Sequence, residues 1–155
     1  MGIEAQKLVL GVPWYGYRYP CVSGTLADAR YCPLEYRPFR GVPCSDAIGV
    51  QVPFGNIVKE RMIEPQWDST MLAPFFNTME NTTKDNSLVQ QYWYDDSQSL
   101  KLKYAWARSN ELRGLGPYTF DDLNGAPAQE IQSMWSAFDT FLFDTASPLL
   151  DLSTT

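Results

Sequence analysis

The stretch that most constrains this fold is 8–17. Leu8, Val9, Leu10 and Val12 form a run that is apolar throughout instead of alternating, the pattern of a strand buried on both faces. Pro13 donates no ladder hydrogen bond, so the regular strand ends near it. Beyond it Trp14, Tyr15 and Tyr17 surround Gly16, a residue without a side chain that lets backbone or a ligand come close. A buried parallel strand that opens into aromatics at its carboxyl end is how an α/β barrel presents a binding face.

The pattern returns late in the chain. Gly114-Leu-Gly116 reads as a second short buried strand, opening on Pro117, Tyr118 and Phe120. Before it, Leu100, Leu102, Tyr104, Ala107 and Leu112 supply apolar positions for a helix over 97–110, capped by Asp95 with Gln98 completing a capping-box variant. After it, Asp121, Asp122, Asn124 and Gly125 form a solvated turn. Pro127 then suits the first turn of an amphipathic helix over 128–143, with Ile131, Met134, Trp135 and Phe138 on its apolar face. The two strands pair in parallel with the first helix as crossover. Two such strands cannot bury both of their faces, so the pattern implies part of something larger.

The long middle, 18–94, departs from this order. Residues 18–56 carry Gly and Pro throughout, and they read as a loop-rich excursion with short strands, one of them through Val50, Val52 and Phe54. A helix over 56–63 is closed by Pro65. Short strands follow at 67–68 and 73–77, a polar hairpin-like loop at 80–87, and a β-branched and aromatic strand at 89–94. The fold class is therefore α/β, a βαβα piece carrying a mostly β insertion over 18–94, and residues 144–155 form a flexible tail.

Composition removes several functions. A net charge of −6 without a Lys/Arg cluster excludes a nucleic-acid surface and an anionic-membrane surface. No apolar run reaches the length of a membrane span, and the first residues lack the pattern of a signal peptide. Histidine is absent, which removes Ser-His-Asp and Cys-His catalysis and His-containing metal sites. Cys21, Cys32 and Cys44 show neither C-x-x-C spacing nor a fourth ligand, so one disulfide plus one thiol is favoured over a three-thiolate metal site. The pairing is open. Asn81-Thr-Thr83 is a glycosylation sequon. No cofactor is called for. Aromatics make up 14% of the chain, an excess that serves either a ring-packed core or a sugar-binding cleft.

Four segments in order decide between these. Lys7-Leu-Val-Leu-Gly-Val-Pro-Trp-Tyr-Gly-Tyr17, Pro38-Phe-Arg-Gly-Val-Pro-Cys-Ser-Asp46, Trp93-Tyr-Asp-Asp96 with Ser99-Leu-Lys-Leu-Lys103, and Leu112-Arg-Gly-Leu-Gly116 together resemble the glycoside hydrolase family eighteen chitinases. The resemblance runs over residues 2–143. It implies the C-terminal part of a (β/α)8 barrel, with 8–13 as its seventh strand, 18–94 as the family's inserted α+β subdomain and 113–117 as its eighth strand.

The implied activity is hydrolysis of the GlcNAc-β1,4-GlcNAc bond in chitin oligosaccharides and the chitobiose core of N-glycans. In that family a Glu protonates the glycosidic oxygen while the substrate's own N-acetyl oxygen attacks the anomeric carbon, and a neighbouring Asp orients the acetamide. The family motif D-x-x-D-x-D-x-E that carries both groups is absent from this sequence, so the catalytic Glu is expected upstream, together with the N-terminal part of the barrel. Tyr94-Asp95 is set aside as a catalytic pair, because its neighbours place it at a helix start. What carries over is a substrate wall: Tyr15 matches the tyrosine ending the seventh strand, and Tyr118 stands where the family has a tryptophan floor under the sugar. Trp14 and Arg40 are further candidates, with a core role the alternative for Trp14. The implied partner is an N-acetylglucosamine oligosaccharide and the implied location lysosomal or secreted. A non-catalytic fragment that binds sugar or a protein partner is the alternative.

Overall fold

The computed structural model describes residues 2–44, 46–83 and 86–143. In chain order the elements are β1 (Val9–Pro13), β2 (Tyr15–Pro20), β3 (Arg37–Phe39), β4 (Val42–Cys44), β5 (Val50–Pro53), α1 (Phe54–Glu60), β6 (Gln66–Asp68), β7 (Ala73–Thr83), β8 (Asn86–Trp93), α2 (Ser97–Ser109), β9 (Gly114–Tyr118) and α3 (Ala128–Phe143). The expected tail over 144–155 lies outside the described residues.

β1 and β9 pair in parallel, with Val9 opposite Gly114 and Pro13 opposite Tyr118, and α2 lies between them in the chain. Alternate residues of a strand face opposite sides, and the two sides of this ribbon differ sharply. Val12 is buried, and Leu10 and Leu115 pack against a core that includes Leu100 and Tyr104 of α2 and Met134 and Ala137 of α3. The other side is open: Val9 is 62% exposed, and nothing lies within 4 Å of where a Cβ on Gly11, Gly114 or Gly116 would stand.

The middle of the chain folds into a five-stranded antiparallel sheet in the order β5-β2-β8-β7-β6. Its rear face packs on α1. A Cβ on Gly16 would meet the Trp93 carbonyl oxygen at 2.4 Å and Ile57 Cδ1 at 2.7 Å, so glycine alone lets β2 lie this close. Phe76 and Tyr92 stack beside it with centroids 4.6 Å apart. Across the front face the loop closed by the Cys21–Cys32 disulfide is bound by polar side chains of the sheet. Asn77 Nδ2 donates to the carbonyls of Ala27 and Ala29, and Gln91 Nε2 donates to that of Ala29. Asp68 accepts from Arg30, Tyr31 and the backbone N–H groups of Thr70 and Met71. The Arg30 guanidinium, with these other donors, holds the Asp68 carboxyl well below the usual carboxylate range.

Several local expectations are corrected. Residues 18–20, expected in the loop-rich excursion, continue a strand that begins at Tyr15, because β2 gains partners on both sides. The β7–β8 hairpin is tighter than a loop over 80–87, with strand geometry reaching Thr83 and resuming at Asn86. Helix α1 begins at Phe54 and ends at Glu60, led in by Pro53 at φ −55°. The cap of α2 is Asp96, whose side chain accepts from Gln98 and Ser99 N–H while Ser99 Oγ accepts from the Asp96 N–H. Asp95 instead is buried and pairs with Lys103.

Candidate functional site

The site is built where β1 and β9 end. Trp14 N–H donates to the Tyr118 carbonyl at 2.9 Å, and the Phe54 N–H donates to the Trp14 carbonyl at 3.2 Å. These two bonds tie the end of β9, the start of β2 and the start of α1 to one corner. Tyr15 and Tyr118 meet there edge to face, with centroids 6.5 Å apart at 80°. By strand parity Tyr118 stands on the open side of the ribbon, with Gly114 and Gly116, and it is 64% exposed. Burial pushes the Tyr15 phenol up, with Tyr17, Tyr118 and Asp122 adding to the effect. It is therefore a neutral donor at ordinary pH.

The other candidates fall elsewhere. Trp14 is 0% exposed; its ring lies 4.8 Å from Trp135, and its Nε1 donates to the Tyr104 hydroxyl at 3.5 Å. It belongs to the core, the alternative held for it, and presents no face to a ligand. Arg40 lies in the turn of the separate β3–β4 hairpin with φ 49°, its guanidinium 5.3 Å from the Phe39 ring centroid. Asp122 is nearly buried, not solvated. Its Oδ2 accepts from Thr119 N–H at 2.8 Å and Thr119 Oγ1 at 3.1 Å, so it caps the start of the short 3-10 helix Phe120–Leu123. Cys21 and Cys32 are joined and Cys44 is the thiol, which leaves too few thiolates for the three-cysteine metal site. Among the described residues no group of three or more His, Cys, Asp or Glu side chains converges. Among those residues, too, no helix is long and apolar enough to cross a membrane. The backbone of Asn81 lies in β7, and its side chain lies outside the described residues.

The sequence reading places Tyr17 among the aromatics beyond β1 but gives it no site role, and it passes over Tyr19. Tyr17 lies 6.0 Å from Tyr15, and Tyr19 lies 5.8 Å from Tyr17. The signal was present as tyrosines at alternating positions, but it needs β2 to be recognised as a strand.

The chain is 38% identical over 144 residues to the di-N-acetylchitobiase of Mus musculus, a match covering 88% of this chain and 38% of that protein. This chain is similar to the di-N-acetylchitobiases. The probable di-N-acetylchitobiase 2 of Dictyostelium discoideum is 34% identical over 156 residues, covering 95% of this chain and 40% of the relative. The chain thus spans about two fifths of the length of the curated relatives it matches. No protein-family model matches it.

Among solved structures, the family GH18 chitinase from Cycas revoluta in complex with allosamidin superposes with a TM-score of 0.59 at 22% identity, covering 90% of this chain and 35% of that one. The chitinase-like agglutinin from Robinia pseudoacacia gives 0.57 at 20% identity, covering 88% and 34%. At these identities the likeness is one of fold.

Proposed function

We propose that these residues are the C-terminal part of a chitobiase-like glycoside hydrolase and supply a wall of its substrate site. On this reading β1 and β9 are the last two strands of a (β/α)8 barrel. Residues 18–94 are its inserted subdomain, and the open side of the ribbon faces the barrel interior. The observation that carries the reading is the Tyr15–Tyr118 corner at the carboxyl ends of two parallel strands, above a ribbon face that nothing covers.

The exposed Tyr118 ring offers an apolar surface to the C–H face of a pyranose. The neutral Tyr15 hydroxyl offers a hydrogen bond to a sugar oxygen. The substrate is an N-acetylglucosamine oligosaccharide cleaved with help from its own acetamide, and the protonating Glu comes from chain that carries the D-x-x-D-x-D-x-E motif, which this sequence lacks. A disulfide on the inserted subdomain fits a lysosomal or secreted protein.

The test is titration of the chain with N-acetylglucosamine and its β1,4-linked oligomers, alongside an assay of chitobiose hydrolysis. Binding is expected, several-fold weaker in Tyr118→Ala, with no hydrolysis. Turnover by the pure chain overturns the placement of the acid outside it. A titration that Tyr118→Ala leaves unchanged overturns the wall.

A further inference from the structure

We infer that Asp122 is a positioning residue for the sugar platform: acting through Thr119, it fixes the backbone that carries the Tyr118 ring. This rests on the sugar-binding reading of Tyr118 and adds how that ring is held. A residue at a strand end ordinarily moves with the surface loop that follows it. Tyr118 is 64% exposed, yet the peptide group after it has both of its polar atoms bonded, from two directions. Its carbonyl oxygen accepts from the Trp14 N–H at 2.9 Å. Its N–H, that of Thr119, donates to Asp122 Oδ2 at 2.8 Å, and Thr119 Oγ1 donates to the same oxygen at 3.1 Å. A carboxylate accepts such bonds more strongly than a neutral oxygen does.

Asp122 can anchor Thr119 because its own place is fixed. It is nearly buried, and its N–H donates to the Thr119 carbonyl at 3.2 Å. Leu123 beside it belongs to the core. A Cβ on Gly55 of α1 would meet the Asn124 carbonyl oxygen at 2.2 Å, so the turn ends pressed against that helix. The Phe54 N–H, bonded to the Trp14 carbonyl at 3.2 Å, ties the same helix to the opposite anchor. The backbone is thus held while the ring stays open, which lets a ligand bind without first ordering its platform. Asp122 itself needs no contact with the sugar.

The experiment is calorimetric titration of the 155-residue chain with chitotriose, the β1,4-linked trimer of N-acetylglucosamine, as a double-mutant cycle on Asp122→Ala and Tyr118→Ala. Asp122→Ala is expected to weaken binding several-fold in the parent chain. It adds no further loss to Tyr118→Ala, because its effect passes through that ring. Asp122→Asn, which keeps an acceptor oxygen, recovers most of the loss. Amide hydrogen exchange in Asp122→Ala rises over 118–123 and matches the parent over α2 and β8, which establishes that the variant is folded. Should Asp122→Ala not fold, Thr119→Val, which removes only the hydroxyl donor, carries the same cycle with a smaller loss. Unchanged affinity in these variants, or an equal loss with and without the Tyr118 ring, overturns this inference and leaves the wall standing. Affinity that Tyr118→Ala leaves unchanged, or absence of binding by the parent chain, overturns the wall and this inference with it.

Discussion

At the scale of single residues, the tyrosines set how this chain responds to pH. The Tyr92 hydroxyl donates to Glu60, and burial together with that bond pushes its pKa up to about 12. Burial also raises the phenols of Tyr15, Tyr94 and Tyr104, and the bond to Asp68 raises that of Tyr31. Above the ordinary tyrosine value of about 10 the unfolded chain loses protons that the folded chain keeps. The folded state then binds more protons, so stability falls as pH rises. A series of thermal midpoints is expected to stay level up to about pH 10 and then decline, with a shallower decline in Tyr92→Phe. An equal slope in the variant contradicts the assignment. Asp68 acts with the opposite sign. Its depressed pKa makes its contribution present above the carboxylate range and lost only as pH falls well below it. The loop anchored by Asp68 therefore persists in a mildly acidic compartment.

Between elements, what matters is how a segment with little regular structure is held on a sheet. The Cys21–Cys32 loop contributes no strand to the five-stranded sheet, yet it is held by a covalent link with a sequence separation of 11 and by Asp68, Asn77 and Gln91. Closing a loop of that length removes unfolded-state entropy worth about 3 kcal/mol. Reduction, or Cys32→Ser, is expected to lower unfolding free energy by about that amount in a urea titration. A much smaller loss indicates that the polar anchors alone hold the loop. The start of α2 shows the same dependence on context. Asp95 and Asp96 are both capable caps by residue type, and the sequence reading takes the first. The structure uses the second, because Asp95 turns inward to Lys103.

For the whole molecule, the main asymmetry is a two-stranded parallel ribbon with one covered and one uncovered face. Parallel sheets are ordinarily covered on both sides, and the exposed Val9 is the residue that reports on this. In the 155-residue chain Val9→Thr keeps the β-branched shape and is expected to change stability by no more than about 0.5 kcal/mol. If the remaining strands of the proposed barrel cover that face, the same hydroxyl is buried without a partner and costs about 1–3 kcal/mol. Denaturant midpoints in this chain and in one extended through the barrel strands compare the two. A large loss in the short chain contradicts the open face.

Much of this was legible from sequence, because local rules decide it. The apolar run at β1, the proline that ends it, and the helix over Ala128–Phe143 are set by periodicity and by proline's missing donor. The four motifs likewise pointed to the chitinase-like resemblance that the comparisons support. Long-range pairing decided the rest. β2 is a strand only because β5 and β8 flank it, and the partner of Cys21 depends on how the loop lies across the sheet. Trp14 became core and Tyr118 surface through the parity and packing of the ribbon. Sequence alone supplied the aromatic residues, and only the tertiary structure decided which rings face solvent, since exposure depends on neighbours distant in the chain.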